Sequence, residues 1–178
     1  MQKDLIDDVK SDLLKIGLYQ IIGGLIGVAL VLYALWRDIN DISTASIILT
    51  IIMLLFFAYS VFSGNLCLHT KPLAIKCSMI NQILQLVTFS IGGYAFSFSA
   101  GPFVLAGLDL TNSISFNFEF GLARMNLFIN THSENVELTV NLVAIAMIYW
   151  VGKVKNKRRL LEENKEIDSL GRTEITEP

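Results

Sequence analysis

Residues 77–93 read CSMINQILQLVTFSIGG, and they sit inside a run that carries no charge from Cys77 to Leu108. A helix crossing a hydrocarbon core of about 30 Å needs about 20 residues, so the run predicts a span from Cys77 to about Phe98, before Gly101-Pro102. Three amides, Asn81, Gln82 and Gln85, conflict with that setting. At 100° per residue they share one face about 120° wide with Ser78 and Thr88, interrupted by Phe89. Ile80, Ile83, Leu84, Val87 and Ile91 fall on the opposite half. Such a face meets other helices of the same bundle, identical copies around an interface or lumen, or a polar ligand in a cavity. The spacing leaves all three open.

Outward from this stretch the rest of the chain repeats the pattern. It has 178 residues, 53% hydrophobic and 17% charged, with the charges crowded into short segments as in a multi-spanning membrane protein. Residues 16–36 carry no charge between Lys15 and Arg37, residues 42–68 form a second apolar stretch, and residues 136–154 a shorter one between Glu137 and Lys153. The expected fold is an all-α membrane protein, a four-helix transmembrane bundle. Its spans are 16–36, 42–68, 77–98 and 136–154, with a cytoplasmic loop at 69–76. A small β-like extracytoplasmic insertion lies at 99–135, between the third and fourth helices. The long, mixed-charge start and the length of the first span argue against a cleavable signal, so that span is expected to be retained.

Sidedness follows from the basic residues. Lys3, Lys10, Lys15, Lys71, Lys76 and the tail residues Lys153, Lys155, Lys157, Arg158, Arg159, Lys165 and Arg172 fall on one side. Arg37 and Arg124 fall on the other. The positive-inside rule then puts both termini in the cytoplasm of a multi-pass protein in the cell (inner) membrane. Residues 1–15 form an amphipathic segment rich in Asp, which suits a protein partner as well as a lipid surface. At the end of the fourth span and the start of the tail (155–178), Lys153, Lys155, Lys157, Arg158 and Arg159 read either as a topogenic stop or as a contact for anionic lipid or a cytoplasmic partner. The last seven residues are expected to lack structure.

Within the insertion, Ile114, Phe116, Phe118, Phe120 and Leu122 alternate with polar or small residues, the period of a half-buried strand. The phase slips at Gly121 and Ala123, so a hairpin or a bulged strand is expected there.

Chemistry is thinly represented. No hydrolase, zinc-protease, phosphate-loop or dinucleotide motif occurs, and His69 and His132 are predicted on opposite sides of the membrane. Cys67, His69 and Cys77 lack a fourth ligand and any zinc-module spacing, so no metal and no cofactor is expected. The basic run is too short to argue for nucleic acid. Gly23, Gly24 and Gly27 supply a small-residue face for helix packing, inside the bundle or between subunits. The function expected is a non-enzymatic integral membrane protein that works by association, an accessory or regulatory subunit, through self-association or a cytoplasmic protein partner. The alternative is a small oligomeric pore or membrane-permeabilising effector lined by the polar face of the third span.

In size, number of predicted spans and charged ends, MQKDLIDDVK and KVKNKRRLLEENK, the chain resembles the small multi-spanning membrane accessory proteins of type VI-B CRISPR loci. The resemblance implies modulation of a phage-defence effector from the membrane. It transfers no functional residue.

Overall fold

The computed structural model describes residues 2–39, 43–111, 113–129 and 135–173; His132 and residues 174–178, most of the tail end expected to lack structure, lie outside them. The elements run α1 (Gln2–Arg37), α2 (Thr44–Leu68), α3 (Ala74–Leu84), β1 (Val87–Ile91), β2 (Tyr94–Asp109), β3 (Ser115–Phe128), β4 (Glu137–Asn141) and α4 (Leu142–Thr173). The expectation of an all-α four-helix transmembrane bundle is overturned. Among the described residues, four helices share the fold with a four-stranded antiparallel sheet.

The stretch that misleads is 77–93. Its first half is helical, but α3 ends at Leu84, and the β-branched and aromatic residues that follow enter β1. Gly92 and Gly93 have φ of 58° and 83°, and Ile91 pairs with Tyr94. A two-residue turn with both central φ angles positive matches the natural twist of a hairpin, and glycine takes it without strain. The fourth expected helix also begins as a strand. Residues 137–141 pair with β1 and β2, and the helix starts at Leu142. Asn141 sets that start, because its Oδ1 accepts from the N–H groups of Val143 and Ala144 at 3.1 and 3.3 Å, an N-cap.

The expected strand in the insertion is present as β3, but its partner is β2, in register from Ala95↔Phe128 to Asp109↔Ser115. β3 runs unbroken through Gly121 and Ala123. The irregularity falls on β2, where the register shifts between Ala100 and Phe103 and Gly101 takes φ 104°. There β2 bends, so that its first residues pair with β1 and its last with β4, while β1 and β4 pair with each other. No strand pairs with the outer edge of β3 among the described residues.

α1 and α2 follow the sequence expectation, with the Asp-rich start continuous with the first span. Among the described residues they are the two helices long and apolar enough to cross a membrane, and only 22% and 11% of their most apolar windows are buried. Their apolar side chains therefore point outward, unlike those of a core helix in a soluble domain. Two apolar clusters hold the chain together. One joins Val9, Leu13 and Ile16 of α1 to Cys67, Ala74, Ile75, Met147, Val151 and Val154. The other sets Phe57 against Phe98 and Ala100, with Phe56 and Phe96 alongside.

Candidate functional site: a polar interior beneath an inverted sheet

Between the two clusters lies a buried polar layer. Ser78, Asn81, Gln82 and Gln85 of the predicted face are all within 1% of full burial, and Thr88 is half-buried. The structure brings the first four together inside one chain. Ser78 donates to Gln20 Oε1 at 3.1 Å and lies 3.0 Å from Cys67 Sγ. Asn81 Nδ2 donates to Ser60 Oγ at 3.2 Å, and Ser60 donates to the Gln20 carbonyl at 3.1 Å. Gln85 Oε1 accepts from the Ala100 N–H at 2.9 Å, tying α3 to β2 at the bend. Thr88, already in β1, donates to Ser97 at 3.2 Å. Both amide atoms of Gln82, together with Gln20 Nε2, Asn81 Oδ1, Gln85 Nε2 and Thr139 Oγ1, have no partner among the described protein groups. A buried amide atom without a partner costs roughly 1–3 kcal/mol.

Sequence reading missed Gln20, Ser60, Ser63 and Asn141 as members of this layer. Asn141 was legible as a helix N-cap before an apolar periodic run. Gln20 and the two serines, single polar residues in long apolar helices, carry no signal of their own.

The predicted glycines work within the chain. A Cβ on Gly24 would stand 2.9 Å from the Phe57 carbonyl, one on Gly27 would enter the Phe57 ring, and one on Gly23 would strike the Gly101 backbone. Close approach of α1 to α2 and β2 is what these positions require.

The sheet is inside out. Cross-strand rows Phe89–Leu138–Leu108–Phe116 and Val87–Val140–Ala106–Phe118 form one face, and it is the open one. Phe116 is 92% exposed, Phe120 80% and Leu138 51%. The alternate row Thr88–Thr139–Gly107–Asn117 turns inward, and its Thr88, Thr139 and Asn117 line a small recess with Leu105, Glu119, Arg124 and Glu137. Arg124 pairs there with Glu119. The open face is thus apolar, and the inward one mixes Thr88, Thr139, Asn117 and Glu119 with the buried Phe103 and Leu105.

The five predicted basic residues separate into different settings. Lys157 turns to α1, 2.8 Å from Asp12 and 3.5 Å from Asp8. Burial works to raise the Asp12 carboxyl, but the hydrogen bond and charge of Lys157 outweigh it and leave the group below its ordinary range. The same hydrogen bond, donated by Lys157 to Asp12, raises the Lys157 ammonium above its ordinary range. Arg158 and Arg159 pair with Glu162 and Glu163, each at 3.4 Å, and Lys153 and Lys155 are exposed. Among the described residues no three His, Cys, Asp or Glu stand together as metal ligands. No family model matches the chain, and neither a curated protein nor a solved structure matches it.

Proposed function

We propose that this is a non-enzymatic integral membrane protein that acts by association, and that the outer edge of β3 is its association surface. Two helices with outward apolar surfaces and a sheet with its apolar face outward support a bilayer setting. The sheet meets the helix hairpin at Gly23 and Phe57, well inside the apolar stretches of both helices. Two crossings, not four, still leave both termini on one side, where the Lys157–Asp12 pair joins them. The excess of Lys and Arg makes that side the cytoplasm.

The observation that carries the reading is the open outer edge of β3, with which no strand pairs among the described residues. At bilayer depth every backbone N–H and C=O needs a partner, and β3 offers a row of them from Ser115 to Leu122. A ring built by strand addition needs two different edges from each subunit, whereas the described residues leave one. Two copies therefore close on each other, β3 against β3 antiparallel, about a two-fold axis. A pore lined by Ser78, Asn81, Gln82, Gln85 and Thr88 is the weaker reading, because all but Gln82 bond to Gln20, Ser60, Ser97 or Ala100 of their own chain, and Gln82 is fully buried beside them. The polar interior is built of amides and hydroxyls of α1, α2 and α3, with the Cys67 thiol beside Ser78, in keeping with a structural role. Modulation of a phage-defence effector is added by the resemblance drawn from the sequence alone.

Single cysteines placed along 115–128, with Cys67 and Cys77 replaced by serine, test this. Paired strands lie about 4.8 Å apart, within disulfide reach. Self-cross-linking is expected to peak at one residue and decline on either side, in a detergent particle of two chains. A one-chain particle with no cross-link at any position refutes it.

A further inference from the structure

We infer that the groove between α3 and α4 is a site for the phosphate-bearing headgroup of an anionic membrane lipid. Its volume is about 780 Å³. Lys76, Lys155, Arg158 and Arg159 form the rim, and Met79 and Ile80 lie among the apolar residues of its wall. Met79 and Ile80 stand about one turn further along α3 than Lys76, toward the polar interior and away from the loop at 69–73. The groove is therefore charged at its cytoplasmic mouth and aliphatic at its deeper end. That gradient matches a lipid, with a phosphate at the rim and the start of an acyl chain against Met79 and Ile80.

The rim is partly pre-set. Arg158 is held by Glu162 at 3.4 Å and by the Lys71 carbonyl at 3.4 Å. Lys76 and Lys155 form no ion pair with the described residues, so their charge is available to a ligand. Glu162 and Glu163 offset Arg158 and Arg159, which leaves Lys76 and Lys155 as the excess suited to one phosphate group. No aromatic ring lines the groove to stack on a base, and this favours a lipid over a nucleotide. Lys157 is directed to Asp12 instead, and Lys153 is not among the lining residues.

The inference rests on the bilayer reading, whose failure would show separately as a chain recovered from membranes without detergent. The test titrates the full chain in neutral detergent micelles with phosphatidylglycerol, and in parallel with inorganic phosphate and phosphatidylcholine, following the thermal midpoint. Phosphatidylglycerol is expected to raise the midpoint, and the other two are not. The triple variant Lys76→Ala, Lys155→Ala, Arg159→Ala should bind roughly a hundredfold more weakly, at about fivefold per cation, with an unchanged lipid-free midpoint because all three side chains are exposed. Lys153→Ala should bind as the parent does. Equal stabilisation by inorganic phosphate overturns the lipid assignment. Unchanged binding by the triple variant, or an equal loss with Lys153→Ala, overturns the site.

Discussion

Replacing Asn141 by alanine separates the observed fold from a continuous fourth helix, because the two predict opposite signs. In a helix spanning 136–154, Asn141→Ala would raise helix propensity by several tenths of a kcal/mol and stabilise the protein. In the observed structure Asn141 caps α4 through Val143 and Ala144, and its Nδ2 donates to the buried Ser99 hydroxyl at 3.3 Å. Loss of the cap costs about 1 kcal/mol. Loss of the Ser99 bond, with that hydroxyl left buried, costs about another 1–2 kcal/mol. The sum, about 2–3 kcal/mol, corresponds to a fall in Tm of about 4–12 °C for a chain of this size. Helix loss on heating, followed by circular dichroism in detergent, measures it. Asn141→Ser, which keeps a capping oxygen, should recover about 1 kcal/mol of the difference. A Tm for Asn141→Ala equal to or above the parent's would refute the strand-to-helix junction.

Gly27→Leu should destabilise by more than about 1–3 kcal/mol, since its first carbon already enters the Phe57 ring. Gly152→Ala, with nothing within 4 Å of the added carbon, should stabilise by about 0.5–1 kcal/mol; denaturation of both variants in one detergent checks the contrast. Phe118→Lys should cost about 2–4 kcal/mol if the outer face meets lipid, and lose most of that penalty when the protein is held in a polar amphiphile, a difference read by unfolding in the two media. The Asp12–Lys157 pair should stabilise the α1–α4 contact across mid-range pH. Its Asp12 contribution is present above the ordinary carboxylate pKa and lost as pH falls through the lowered value, and its Lys157 contribution is lost only as pH rises through the raised one. Asp12→Asn should flatten both limbs of the stability–pH curve.

The two long helices were legible because 16–36 and 42–68 are long, charge-free and bounded by charge. β3 was legible because its alternation puts Phe116, Phe118 and Phe120 on one face. What misled was an ambiguity of apolar runs: without charge, a buried or lipid-facing strand and a helix look alike by hydropathy. The discriminating signals were local. VTFSI and YAFSFS flank Gly92-Gly93, two β-prone runs around a two-residue turn, which is a hairpin signature. LTVN places β-branched residues before a capping asparagine, which ends a strand and starts a helix. The helical wheel was sound from Ser78 to Gln85 and invalid beyond, so Thr88 reaches Ser97 through strand pairing and not through a helix face. That the polar face meets its own chain was beyond the sequence, because Gln20, Ser60 and Ala100 are remote from it and individually featureless.

The amides have a positional role that an apolar α3 could not fill. Hydrophobic contacts are non-directional, so a helix of Leu and Ile at 78–85 could slide or rotate against α1 and α2 with little change in buried area. It could also propagate through Val87 into the charge-free run and become the span that hydropathy suggests. Asn81 to Ser60, Ser78 to Gln20 and Gln85 to the Ala100 N–H each hold at one rotation and one depth. The Ala100 bond adds a further constraint, because it requires a strand passing beside the end of α3. A partly satisfied polar layer is costly, and it is kept at the point where the chain changes from helix to sheet. Replacing Asn81, Gln82 and Gln85 together by leucine should therefore remove specificity more than stability. The triple variant is expected to keep its resistance to denaturation yet gain helix at the expense of strand in its amide I spectrum. An unchanged spectrum would show that Gly92-Gly93 and Asn141 alone are enough to break the helix, and the amides would then be packing only.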